Sequence, residues 1–195
     1  MVSRSLNRWL KAIKVLLWIS VIGFSYNVVQ TTGLLFTTNQ MYADVMLSRS
    51  TPVTVKNGVL KQNSAVFEFK SDRVLDRIIF KHVYGYHDFM RSVFTLVTCC
   101  ILLITVNGIK ADNPFTLKIA RRIMLMGIIF IVYSLMSVAA GYYVYSRVKG
   151  LNDQFTPVYI IREEVFNIKV GVFIIILAFI YRIGAAYQEE NQLTV

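Results

Sequence analysis

The sequence predicts an all-α membrane protein: a bundle of four transmembrane helices, with a small extracytoplasmic β-hairpin or meander and an amphipathic helix between spans one and two. Three observations point there. The mean hydropathy is +0.53. Only 16% of residues are charged, against roughly a quarter in soluble domains. The charges also crowd into the gaps between four long apolar runs. A chain this apolar has ample surface to bury, which excludes disorder. Its two cysteines are the adjacent Cys99 and Cys100, which excludes a disulfide scaffold and a CxxC zinc site.

The first run, Val15 to Ala43, holds 29 residues without a charge and is entered through Arg4, Arg8, Lys11 and Lys14. A helix needs roughly 20 residues to cross a hydrocarbon core of about 30 Å, so this run suffices. Its length, and no small-x-small cleavage site at its end, read as a retained helix rather than a cleaved leader. Ser92 to Ile109 gives a second run of 18 residues, and Ile123 to Ser146 a third of 24. The fourth, Val170 to Tyr181, has only 12 residues, but Lys169 and Arg182 bracket it. Both can snorkel outward while their methylene stems stay in hydrocarbon, and Ile183 to Tyr187 continue the helix. Spans are therefore expected at residues 13–37, 88–109, 119–146 and 167–187, in one polytopic domain over 1–195.

With four spans, both termini share a side with the loop Lys110 to Arg122. The N-terminal arm and that loop are short and densely basic. The long segment Thr37 to Arg91 dilutes eight basic residues over 55 and adds five acidic ones. Basic density in short loops sets orientation, so both termini are expected in the cytosol, with residues 38–87 outside a cell membrane. The pI near 9.7 then reflects contact with anionic lipid. No basic patch interleaved with aromatics stands free of the spans, so direct nucleic-acid binding is not expected.

The outer segment has strand chemistry. Val53 and Val55 alternate with polar neighbours, Asn57-Gly58 is a dipeptide favoured in two-residue hairpin turns, and Val59 to Gln62 return. Asn63-Ser64 turns again into Ala65 to Lys70. A meander this small must lean on the bundle or on a second copy of the chain, so a homo-oligomer is one expected partnership. Ser71 is a candidate N-cap. Val74, Leu75, Ile78 and Ile79 then form an apolar helical face, with Asp72, Arg73, Asp76, Arg77 and Lys81 on the others. Such a helix is expected at the membrane surface.

Chemical constellations are sparse. His82 and His87 lie five apart, about 140° around a helix, and do not share a face as zinc ligands would. There is no Gly-rich phosphate loop, no nucleophile elbow and no HExxH. Neither enzyme chemistry nor a metal or cofactor is expected. Within the spans, Gly23, Asn27 and Thr31 recur every four residues, and Ser134, Ser137 and Gly141 share a face of the third span. Small and amide side chains so spaced serve helix packing. A transport path could use Asn27 and Gln30, but a carrier normally holds an acid or paired charge inside its spans, and these have none.

Between spans two and three the chain reads Asp112-Asn113-Pro114-Phe115-Thr116, then Lys118, Arg121 and Arg122. Asp112 or Asn113 is expected to cap a helix with Pro114 at its first position. The chain ends Glu189-Glu190-Asn191-Gln192-Leu193-Thr194-Val195. The Asn-Pro-Phe turn and the acidic, then Leu-Thr-aliphatic, ending together resemble a bacterial four-span family, domain of unknown function 2975. Leu117 and Lys118 stand where that family carries acidic residues after Phe-Thr. The resemblance implies a non-enzymatic membrane component encoded beside a very small helix-turn-helix regulator, which it holds or releases. It makes Asn113, Pro114, Phe115, Lys118, Arg121, Arg122, Glu189, Glu190, Leu193, Thr194 and Val195 the expected docking residues. The competing class is a small transporter or stress-responsive membrane factor. A short helix-turn-helix reading frame beside the gene would separate the two.

The expected topology is testable by cysteine labelling of intact cells, in a background lacking Cys99 and Cys100. Asn57→Cys should react with a membrane-impermeant maleimide and Thr116→Cys should not. The reverse pattern would invert the orientation.

Overall fold

Four helices answer the four apolar runs. The computed structural model describes residues 2–47, 52–55, 58–61, 64–82, 89–109, 115–151, 155–157 and 161–193. In chain order these form α1 (Val2–Thr37), β1 (Gln40–Leu47), β2 (Pro52–Val55), β3 (Gly58–Lys61), β4 (Ser64–Lys70), α2 (Val74–Ile79), α3 (Phe89–Gly108), α4 (Leu117–Leu151), β5 (Phe155–Pro157) and α5 (Ile161–Leu193). Four stretches are long and apolar enough to cross a membrane: Arg8–Thr37, Phe89–Gly108, Leu117–Gly150 and Val165–Glu190, with mean hydropathies of 1.7, 2.1, 2.4 and 2.1. The protein is multi-pass and has the predicted fold class. α5 runs through to Leu193, so the acidic ending is helical as far as that residue. The chain divides into two compact units, one of Met1–Asn27, Val93–Leu135 and Arg162–Val195, the other of Val28–Ser92 and Met136–Ile161.

In the first unit, missing side chains set the approach of α4 to α5. A Cβ on Gly127 would stand 2.7 Å from the Gly171 carbonyl oxygen, and one on Gly171 would stand 2.8 Å from that of Gly127. Lipid gives apolar helices no hydrophobic reason to associate, so close backbone contact of this kind carries the packing. α3 joins through Phe94, whose ring stacks on Tyr133 with centroids 4.0 Å apart and meets Phe130 edge-on at 5.0 Å.

The expected packing residues divide. Ser134 is fully buried, and Ser137, Gly141, Asn27 and Thr31 are half-buried. Gly23 departs from expectation: it is exposed, and nothing lies within 4 Å of where its Cβ would stand. The surrounding stretch of α1 turns Trp18, Ile19 and Ile22 outward, so removing a side chain at Gly23 brings no neighbour closer. The close approach belongs to Gly127 and Gly171.

The second unit is organised by a strand hidden in the first apolar run. β1 is the centre of a three-stranded antiparallel sheet of order β4-β1-β5, paired with β4 from Gln40↔Lys70 to Met46↔Ser64 and with β5 from Val45↔Pro157 to Leu47↔Phe155. Pro157 is tolerated because β5 is an edge strand. Period-two alternation sends Met41, Ala43 and Val45 to one face, where they are buried with Phe80 and Val148. Phe67, Phe69, Tyr143 and Val144 pack around them. The expected hairpin is present as β2–β3, but it pairs Val55↔Gly58. The two residues between are thus Lys56 and Asn57, one position earlier than the favoured dipeptide suggested. They lie outside the described residues.

Filling the glycine contact should be costly. Gly171→Val is expected to lower stability in detergent by about 1–3 kcal/mol through overpacking, read by chemical denaturation followed by circular dichroism. Gly23→Val, in open space, should change it by far less. Equal effects would show that helix propensity alone is being measured.

Candidate functional site

The polar centre of the second unit is a carboxylate with no access to solvent. Ser71 was expected to cap α2, but Arg73 holds the N-cap position without a side-chain bond. The Ser71 hydroxyl instead accepts from the Arg73 amide at 3.2 Å and donates to Asp76 Oδ2 at 2.5 Å. Asp76 departs from the expected polar face, while the expected apolar face divides, with Ile78 and Ile79 half-buried. Val74 is 71% exposed and Leu75 51%, whereas Asp76 is 0% exposed. Three donors turn Asp76 inward: Ser71, the Tyr143 hydroxyl at 2.6 Å on Oδ1, and Arg147 Nη2 at 3.0 Å on Oδ2. Tyr143 and Arg147 lie one turn apart on α4, so one helical face presents both. Burial pushes the carboxyl upward, but the hydrogen bonds from Arg147, Ser71 and Tyr143 outweigh it and hold it below its ordinary value of 3.8.

Around this centre α2 is tied to the end of α1. The last turn of α1 contains no cation, yet its orphan carbonyls favour one. Arg77 supplies it, with Nη1 donating to the Leu35 carbonyl at 3.2 Å and Nη2 to Asn39 Oδ1 at 2.6 Å. His82 is buried, and its Nε2–H donates to the Arg77 carbonyl. Burial, first, and the nearby Arg77 charge hold this imidazole below its ordinary value, against the opposing backbone bond. His87, its suggested companion, lies outside the described residues. Among the described residues no group of three His, Cys, Asp or Glu side chains could hold a metal ion.

The expected docking residues belong to the first unit. α4 begins at Leu117, with the Thr116 carbonyl accepting from the Ile119 and Ala120 amides at 3.1 Å. Pro114 is thus not its first residue; Asn113 and Pro114 lie outside the described residues, as do Thr194 and Val195. Phe115 is 43% exposed, its ring centroid 4.9 Å from that of Tyr181. A Cβ on Gly184 would come within 3.3 Å of that ring, so this glycine lets the loop sit against α5. Arg122 is committed elsewhere: Nη1 donates to the Ile104 carbonyl at 2.8 Å near the end of α3, whose last turn also lacks a cation. Lys118, Arg121, Glu189 and Glu190 are exposed. Leu193 ends α5. Arg121 and Arg182 line one cavity with Leu117 and Ala120.

Sequence reasoning missed the Asp76 centre. The available signal was Tyr143 and Arg147, one turn apart where the third apolar run stops. Asp76→Asn keeps volume and an acceptor but removes the charge Arg147 faces. Denaturation of the purified protein should show a loss of about 3 kcal/mol at neutral pH. Because the folded pKa is depressed, the carboxylate's contribution is fully present above 3.8 and lost as pH falls through the lower folded value. The gap between the two proteins should therefore narrow at acid pH. A gap unchanged there would assign the effect to shape.

No curated protein and no solved structure matches the chain. A family model described as Protein of unknown function (DUF2975) matches residues 84–195. That stretch carries the second, third and fourth spans, Tyr143, Arg147 and the basic loop, and begins after Ser71 and Asp76. The match covers more than half of the sequence and agrees with the Asn-Pro-Phe turn and the acidic ending: the chain belongs to the DUF2975 family.

Proposed function

We propose that the protein is a non-enzymatic membrane regulator that holds a small cytosolic helix-turn-helix DNA-binding protein at its loop and tail. The observation that carries this reading is the seat of Phe115 on Tyr181 and Gly184. It makes the loop and the tail-bearing helix parts of one surface rather than two independent segments. That surface offers Lys118 and Arg121 from α4 and Glu189 and Glu190 from α5, all exposed. Arg122 serves the end of α3 and leaves the docking set. Dense basic residues in the N-terminal arm and the loop support placing this surface in the cytosol, with the sheet outside. Capture at a membrane lowers the regulator's free concentration without any chemistry. A signal that shifts the protein between two packings would release it.

The regulator would be the product of a short helix-turn-helix reading frame beside the gene. Deleting Glu189 to Val195 should leave the protein inserted at unchanged level, release the tagged regulator from membrane to soluble fraction, and alter its target genes. Undiminished co-purification with the truncated protein would remove the tail from the mechanism. A regulator that never co-fractionates with the full chain would remove the reading itself.

A further inference from the structure

The two arginines that line the α4–α5 cavity are unused by the packing. Arg121 and Arg182 make no hydrogen bond or ion pair among the described residues, and both are exposed, whereas the neighbouring Arg122 is occupied by Ile104. The cavity is about 150 Å³. Its remaining wall is apolar and comes from membrane-spanning helix: Leu117, Ala120 and Met124 on α4, Ala178 and Phe179 on α5. The spacing is one stripe per helix. Arg121 sits one turn into α4, with Met124 three residues further along. Arg182 lies one turn beyond Ala178 and eight residues before the end of the fourth span at Glu190. The nearest acid on that face of α5, Glu189, is seven residues on, about 10 Å along the helix.

We propose that this cavity binds the phosphate of an anionic phospholipid between the Arg121 and Arg182 guanidiniums, with the acyl chains following Met124 and Phe179 into the bilayer. Two forks of planar donors match phosphate oxygens. Basic pockets between spans are where lipid phosphates settle, and long arginine side chains snorkel from within a span toward the headgroups. The apolar wall selects a lipid over free phosphate, because only a lipid has chains to cover it. The site shares Arg121 with the proposed docking surface but does not rest on that reading, since a protein with no regulator would still bind the lipid.

The test uses the full chain in a non-ionic detergent, with native mass spectrometry counting retained lipid. Phosphatidylglycerol should bind in preference to phosphatidylcholine, and millimolar inorganic phosphate should not displace it. Each of Arg121→Gln and Arg182→Gln should weaken phosphatidylglycerol binding about fivefold, and the pair about 25-fold. Arg182→Lys should retain part of the affinity, because the charge stays while the fork is lost. A photoactivatable acyl chain on phosphatidylglycerol should crosslink the unmodified protein within the peptides carrying Met124 and Phe179, which reads the site even where a variant fails to fold. Equal binding of the two lipids would overturn the proposal. So would displacement by inorganic phosphate, unchanged binding in a folded double variant, or crosslinks spread evenly over the four spans.

Discussion

The second unit depends on the ion pair between Asp76 and Arg147. A carboxylate with no solvent access is tolerable only if its lone pairs are taken and its charge is met. Here Ser71, Tyr143 and Arg147 do both. Meeting those demands fixes three things at once: how α2 turns, which face of α4 looks toward the sheet, and where Phe80 sits. The ring of Phe80 stands 4.9 Å from that of Phe69 and 6.4 Å from that of Tyr143. The aromatic core therefore runs from β4 through α2 to the residue that binds the carboxylate. A hydrophobic cluster alone would permit several rotations of a six-residue helix. A buried charge with directional donors permits far fewer.

Helix ends repeat one solution in each unit. α1 and α3 both finish without a basic residue in the last turn. In each case an arginine from a later element reaches back to a carbonyl near the end: Arg77 to Leu35 and Arg122 to Ile104. A cation supplied from outside neutralises the negative end of the helix dipole and also pins the next element in place. Arginine suits this, since one nitrogen can bind the carbonyl while the other binds a side chain, as Arg77 does with Asn39.

The four spans were legible because hydropathy and length decide them. The same signal hid β1. Gln40 to Leu47 continues a stretch that is uncharged as far as Ala43, and the change from a 3.6-residue to a two-residue period at Thr38-Asn39 is brief. β5, at three residues, carries no period to read. One residue of α2 was misassigned for a different reason: amphipathicity assumes that charge faces water, and Asp76 reverses it with partners 67 and 71 residues away. Gly127 and Gly171 also escaped notice, because a lone glycine in an apolar run announces close approach only when its partner helix is known. On the loop and tail, the basic and acidic residues expected at the surface are there. The fixed interaction of Arg122 was not legible from its spacing.

The two units are held by different forces, and this decides what each can respond to. Between spans one and two the chain is outside the hydrocarbon, so burying Met41, Val45 and Phe80 is driven by water, and a paired carboxylate adds a dependence on protonation. Within the spans there is no such drive: α4 meets α5 through two glycines and α3 through the Phe94 ring, contacts whose worth depends on the lipid they displace. A fall in pH reaches the Asp76 carboxylate only below its ordinary value of 3.8. On the proposed lipid site, a change in lipid composition would act on the helix unit, where Arg121 and Arg182 line the α4–α5 cavity. α4 contributes residues to both units, so the sequence of this one helix has to satisfy both requirements: small and apolar in its middle, ionisable in its terminal turns.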